Sequence, residues 1–405
     1  MLPDPDGGPP HTTMEPGADS NPRLAAPVAD LGRSLPYEPS LDGVRGVAIA
    51  AVVAYHSFAV SGLSRWARGG FIGVSVFFTL SGFLITSLLL REQGQRGSID
   101  VQRFWVRRIR RLSPAAAVTV AVVVALSAAH VLSARASDAT AAIWSITNWH
   151  VILGGQERLL QTVVGPLGPT WSLAVEEQLY LLLVLAVLGA SRAQHPRRVL
   201  GAVALMTVAT SIALSNVISD WHPRLEFGTD VRAAEVAVGV GLALLFSGRR
   251  APAWSTRTAD LVAGTGLLVL VACFLLVDYD PPWLLRGGYA VISLVTAATI
   301  AGLLRHGRVE ALLRGRGIVG LGRISYALYL AHWPVMSWLT RERSHLYGVA
   351  HASTQIAAAV VAAVLLHVLV EQPVRRGRPT ALRPTLLAHL LVGAALTAVA
   401  WLTLA

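Results

Sequence analysis

This chain contains no lysine; all 34 of its basic side chains are arginine. It holds one cysteine, Cys273, which excludes an internal disulfide and any cysteine-rich metal site. Charged residues fill only 14% of the 405 positions, whereas 54% are hydrophobic. A soluble domain of this length cannot hide so much apolar surface from water, so a polytopic membrane protein is expected. Metal-ligand spacing, a glycine-rich nucleotide loop and a serine in a nucleophile elbow are all missing. The net charge of +11 is spread over loops that flank apolar runs, which argues against a duplex nucleic acid as partner.

What is present begins with a contrast. Residues 1–40 are rich in proline and glycine, carry scattered charges and show no periodicity, so they read as a disordered tail. They lack the basic start and short apolar core of a signal peptide, and the first apolar segment is expected to stay in the mature protein. Each membrane crossing needs about 20 apolar residues to span roughly 30 Å. Runs of that kind fall near 44–63, 70–90, 113–133, 172–190, 198–216, 231–247, 258–277, 286–304, 323–341, 350–370 and 384–404. Eleven crossings follow, with the second and sixth open to tilting or breaking at their glycines. Arginine is concentrated in 91–112, 191–198, 248–258, 305–323 and 371–383 and sparse in the alternating connections. The positive-inside rule then places the N-terminus in the cytoplasm and the C-terminus outside. The longest connection, 134–171, contains Trp144, Asn148, Trp149, His150 and the turn from Gly165 to Pro169. Its stretch 141–153 is too short to span and reads as re-entrant, or as a tryptophan-anchored interfacial segment.

Chemistry concentrates at a few positions. Arg45 and His56 lie eleven residues apart in the first crossing, about 16 Å along a helix. Arg45 can snorkel toward the interface, while His56 sits in an apolar run, where an imidazole can accept and return a proton. A helix-packing histidine bonded to a backbone carbonyl is the plainer alternative. Glu176 and Glu177 enter the fourth crossing together, a costly arrangement in lipid. Glu176 shares a face with Tyr180 at i,i+4, and one of the two glutamates is expected to orient the imidazole of His56, as the acid does in a triad. An interfacial cap is the other reading. A run of arginines at Arg103, Arg107, Arg108, Arg110 and Arg111 precedes the third crossing, and Arg103, Arg107, Arg110 and Arg111 recur at helical spacing. Guanidinium forks suit phosphate oxygens, although topogenic charge meeting anionic lipid explains the same run. The small residues of 69–83, Ser81 among them, allow close helix approach or a tunnel. His332 is a second intramembrane histidine beside Pro334, close to Tyr326.

These segments resemble the integral-membrane acyltransferase type 3 family. The likeness rests on Leu41-Asp42-Gly43-Val44-Arg45 leading to His56, Phe77-Phe78 with Ser81-Gly82-Phe83, and Arg107-Arg108-Ile109-Arg110-Arg111 with Pro114. It continues through Trp171-Ser172-Leu173 with Glu176-Glu177-Gln178 and Tyr180, Ser325-Tyr326 with His332-Trp333-Pro334, and Glu371 with Pro373. The resemblance implies an all-α polytopic membrane protein: a ten-helix acyltransferase core at 41–380 and an eleventh, C-terminal transmembrane helix at 381–405. It implies acetyl-CoA or another short-chain acyl-CoA as donor at the cytoplasmic side, no metal, and a hydroxyl on a sugar, glycan or glycosylated metabolite as acceptor. On that pattern His56 is the essential histidine, Arg45 its basic partner and Glu176 the glutamate of the fourth-helix block, with Glu177 beside it. Arg107 and Arg110 match the donor-binding arginines, with Arg103, Arg108 and Arg111 around them. Ser81, Tyr326 and His332 complete the donor-site candidates, and Tyr326 is also offered as a hydroxyl for the oxyanion. The expected home is a bacterial cytoplasmic membrane, with lipid as neighbour and a homo-oligomer left open. Some relatives append a soluble hydrolase-like domain; with the sequence ending at Ala405, a second transfer step is expected to need a separate protein. The rival reading is a transporter or flippase of a lipid-linked or anionic substrate, which also uses intramembrane ionisable groups.

Overall fold

Helix boundaries fall where local chemistry stops each apolar run. In the computed structural model, residues 37–154, 165–218, 222–247, 254–279, 281–377 and 381–404 are described, and every regular element among them is helical. Most of the expected tail at 1–40 therefore lies outside the described residues. Helix α1 (Pro39–Val60) opens on a proline whose fixed φ suits the first turn. Helix α2 (Gly73–Arg96) runs unbroken through its glycines and stops at Gly97, whose φ of 71° is easy only without a Cβ. Asp100 then accepts the backbone N–H of Arg103 at 2.8 Å and starts α3 (Val101–Ala128), so the arginine run occupies the first turns of that helix.

The long connection folds as two short helices, α4 (Ala136–Ile143) and α5 (Thr147–Leu153), before α6 (Thr170–Ser191). Then follow α7 (Pro196–Val217), α8 (His222–Phe227), α9 (Thr229–Ser247), α10 (Thr256–Leu276), α11 (Tyr289–Leu303), α12 (Arg308–Leu313) and α13 (Arg316–Arg323). The chain closes with α14 (Ser325–Trp338), α15 (Arg341–Ser344), α16 (Gly348–Leu366), α17 (Gln372–Arg376) and α18 (Leu382–Leu404). A π-helical turn at His367–Glu371 joins α16 to α17.

Among the described residues, nine helical spans are long and apolar enough to cross a membrane, not eleven. Two expected crossings fall short for identifiable reasons. Helix α9 carries Asp230, Arg232 and Glu235 within its 19 residues, and α14 has only 14 residues because the run 323–341 breaks at Ile324. Both lie inside the bundle, α9 against α2, α7 and α11, and α14 against α1 and α16. A buried helix needs no lipid-facing apolar stripe, so it can be short or charged without failing as an element.

Glycine sets the closest approaches. A Cβ on Gly82 would stand 2.2 Å from the Val236 carbonyl oxygen, and one on Gly239 would stand 2.2 Å from that of Thr79. Helices α2 and α9 therefore touch backbone to backbone, as small-residue interfaces in membranes do. On the outside, Leu182, Leu185, Leu205, Leu268 and Leu391 are exposed, the apolar coat that lipid would cover. Helix α18 lies on α3 and α4, with Trp144 donating to Thr397 and Trp401 donating to Thr140, both at 3.1 Å.

Candidate active site

His56 lies in the last turns of α1, 8% exposed, against the rings of Tyr55, His332 and Trp333. Its Nδ1 is 3.2 Å from Nε2 of His332, a side chain of α14 with no exposed surface. The glutamates expected beside His56 are elsewhere. Glu176 accepts from the hydroxyls of Ser81 and Tyr180, while Glu177 accepts from Ser145 at 2.5 Å. That second bond fastens the α4–α5 turn to α6, and Gln178 adds to it by donating to the Ser145 carbonyl and to Asn148. The reason for the miss is geometric. Sequence spacing assigns faces within a helix but not which face meets which across a bundle.

Arg45 points toward the other end of α1. It donates to Ser325 Oγ at 2.9 Å and stands 3.7 Å from Asp42. Together with Ser81, Arg108, Arg111, Glu176, Tyr180 and Tyr329 it lines a cavity of about 100 Å³. Two larger cavities adjoin it through shared lining residues. One, of about 670 Å³, includes Arg45, Arg91, Arg111, Arg323, Arg375 and Arg376. The other, of about 710 Å³, includes Arg103, Arg107, Arg108, Arg110, Arg111 and Arg375. Arg111 lines all three, and its Nε is buried without a hydrogen-bond partner among the described residues.

The arginine run thus divides its labour differently from a single face. Arg108 lies over the Tyr180 ring at 4.9 Å, and Arg107 stands 3.6 Å from Glu92. Arg110 donates to the carbonyls of Val374 and Gly377, tying α3 to the end of α17. Arg91, Arg323, Arg375 and Arg376 belong to three arginine-rich segments that the sequence assigns only to topology; their shared end of the crossings is the signal that they also border these cavities. Tyr326, expected as a free hydroxyl, donates to the Leu112 carbonyl at 2.8 Å. Glu371 accepts from Arg375 at 3.0 Å and pairs with His367 at 2.7 Å. One group of metal-ligand composition, Glu38, His306 and Glu310, converges within 4.8 Å at this end, but Arg314 is 3.5 Å from Glu310 and already supplies a positive charge.

The histidine pair separates this arginine end from the opposite one. Toward the arginine end, the Tyr329 ring lies 5.5 Å from that of His332 and borders the small cavity. Toward the opposite end, the Trp333 ring lies 4.9 Å from that of His56. Trp333 also lines a further cavity of about 710 Å³, with His130, Ser337, Thr340, Arg341 and Gln355. Tyr329 is held by its bonds to Ser172 at 2.6 Å and to the Pro169 carbonyl at 3.0 Å, and Trp333 donates to the Gly165 carbonyl at 2.9 Å.

A helical membrane protein with a buried imidazole pair between a cationic and a polar cavity is the class these features define. Residues 38–371 match the family described as Acyltransferase domain, and the chain belongs to that family. It is 32% identical over 316 residues to O-acetyltransferase OatA of Staphylococcus aureus strain NCTC 8325 / PS 47, covering 74% of this chain and 51% of that protein. It is 31% identical over 320 residues to Putative O-acetyltransferase SAS0844 of Staphylococcus aureus strain MSSA476, covering 76% of this chain and 52% of that one. The chain thus spans about half the length of the curated relatives it matches. No solved structure matches it significantly.

Proposed function

We propose that this protein transfers a short acyl group, in the simplest case acetyl, from acyl-CoA to a hydroxyl of a sugar, glycan or glycosylated metabolite. The observation that carries the reading is the place of His56 and His332 between an arginine-lined cavity bordered by Tyr329 and a second cavity bordered by Trp333. Names of relatives at about one-third identity support O-acetyl transfer. In this reading the arginine end faces the cytoplasm and receives the phosphates of the donor. Arg111 is the central contact because it borders all three cavities described at that end, and guanidinium forks match phosphate oxygens. The pantetheine arm occupies the narrow cavity between Arg111 and Tyr329, bringing the thioester toward the imidazoles. The acceptor enters from the cavity bordered by Trp333.

The chemistry balances without an enzyme nucleophile. His56 takes the proton of the acceptor hydroxyl while its oxygen attacks the thioester carbonyl carbon. The tetrahedral intermediate collapses, the carbon–sulfur bond breaks, and the leaving thiolate receives the proton from the imidazolium. The developing oxyanion requires donors. The hydroxyls of Tyr326 and Tyr329 already donate to the carbonyls of Leu112 and Pro169, so either would have to give up that bond to serve the oxyanion. An acyl-histidine route differs in outcome, since purified protein given radiolabelled acetyl-CoA without acceptor would then retain label.

Thiol release from acetyl-CoA by purified protein, compared with a His56→Ala variant, tests the reading. Turnover by the wild type that the variant lacks supports it. Equal background in both would remove the enzyme assignment and favour transport of a lipid-linked or anionic solute.

A further inference from the structure

We infer that His332 is a positioning residue: it fixes His56 in the Nδ1-protonated tautomer and leaves His56 Nε2 as the single basic atom of the site. The Nδ1 of His332 lies 2.7 Å from the Tyr329 carbonyl oxygen and 3.2 Å from that of Leu328. Carbonyl oxygens only accept, so the hydrogen of His332 sits on Nδ1. A neutral imidazole carries one N–H, and Nε2 of His332 is therefore a lone pair. That lone pair faces His56 Nδ1 at 3.2 Å. Two lone pairs facing each other in a buried site would each go unsatisfied, so His56 Nδ1 must be the donor. The Val52 carbonyl, one turn back on α1, also bonds the His56 ring and, lying on its backbone side, favours the same Nδ1–H; one proton per neutral ring then leaves His56 Nε2 as the basic nitrogen.

The alternative charge state fails on the same geometry. A doubly protonated His332 would present Nε2–H to His56, making His56 Nδ1 the acceptor and forcing its hydrogen onto Nε2. His56 would then be the wrong tautomer to accept a proton there. It would also bury a cation with no carboxylate partner among the described residues, since Glu176 and Glu177 are bonded elsewhere. A backbone carbonyl, His332 and His56 thus form a relay in which a neutral ring takes the orienting place that a carboxylate holds in a serine hydrolase triad. The two carbonyls come from the preceding turn of α14, so the tautomer is dictated by a rigid helix and not by a mobile loop.

The inference rests on the reading of His56 as the base, and the test separates the two. Ring nitrogens of the full chain labelled with 15N-histidine are observed by long-range proton–nitrogen correlation in lipid nanodiscs, with a His56→Gln variant assigning the His56 signals. Wild type should show His56 protonated at Nδ1 and unprotonated at Nε2; the opposite pattern overturns the inference whatever the activity. His332→Leu should lower kcat for acetyl transfer by roughly 100-fold, the scale of a general base put out of tautomer, with KM for acetyl-CoA unchanged. His332→Gln, whose side-chain oxygen can accept from His56 Nδ1, should recover at least about 10-fold of that loss. Wild-type kcat in His332→Leu, or equal loss in Leu and Gln variants, would sink the positioning role alone. Undiminished turnover in His56→Gln would instead sink the base reading, and the wild-type nitrogen spectrum would still report the tautomer.

Discussion

Two of the ionisable pairs buried among the described residues end in opposite conditions. In α9, Arg232 donates to Glu235 at 2.6 and 3.1 Å, to the Glu226 carbonyl at 2.9 Å and to Ser75 at 3.3 Å. Its guanidinium also lies 3.8 Å from the Tyr289 ring centre and 5.4 Å from those of Phe78 and Trp171. All three guanidinium nitrogens donate and the ring faces are engaged, so the network is closed around its carboxylate. The His56–His332 pair has the opposite character: the two rings share a single bond, and beyond it His56 meets the Val52 carbonyl and the rings of Tyr55 and Trp333, with no carboxylate on either ring among the described residues. Stability favours the first arrangement. Chemistry requires the second, because an atom already bonded cannot take a proton from a substrate.

Breaking the closed network should do the greatest structural damage. Glu235→Ala leaves Arg232 charged and buried without its carboxylate, a loss of roughly 3–5 kcal/mol. The expected result is little monodisperse protein by fluorescence-detected size exclusion. A double replacement, Arg232→Met with Glu235→Leu, should recover most of it, since an apolar pair of similar volume removes both desolvation costs. Failure of that recovery would give the pair a role beyond packing. His56→Ala sharpens the contrast from the other side: thiol release should fall by roughly 10²–10⁴-fold with the elution profile unchanged.

Next in size is donor binding. Arg111→Ala should weaken acetyl-CoA affinity by roughly 10- to 100-fold in calorimetry, the worth of one charge-assisted bond. Arg110→Ala should instead lower the melting temperature through lost ties to Val374 and Gly377, with smaller change in affinity. The reverse ranking would return the donor site to the arginines that the family pattern singles out. Gly239→Ala, forcing a methyl against the Thr79 carbonyl, should cost about 1–3 kcal/mol as loss of thermal stability in detergent. Smallest of all, Arg68→Ala breaks only an exposed pair with Asp278, and should shift stability by less than about 1 kcal/mol.

Much of the bundle was legible because bilayer physics writes itself into composition. Apolar runs of fixed length marked nine spans, and the same runs marked the two inner helices whose charges or shortness disqualify them as lipid-facing. His56 and the arginine run stood out as polar residues where polar residues are expensive. The partner of His56 did not. Glu176 and Glu177 drew attention as the costlier residues, yet their charges are absorbed by Ser81, Tyr180 and Ser145. Arg232 and Glu235 were hidden for the opposite reason: inside a long apolar segment, an i,i+3 pair was averaged away.

By itself the sequence determined that the chain is helical and membrane-embedded, where its arginines gather, and that an imidazole stands inside an apolar run. Those follow from terms local to a segment: hydropathy, helical period and the cost of charge in lipid. Only the tertiary structure decided that His332 faces His56, that Arg111 borders three cavities, and that the glutamates bond away from the histidines. These pairings depend on how helices far apart in sequence are rotated about their own axes. That rotation is set by backbone contacts such as Gly82 on Val236, which no single segment encodes.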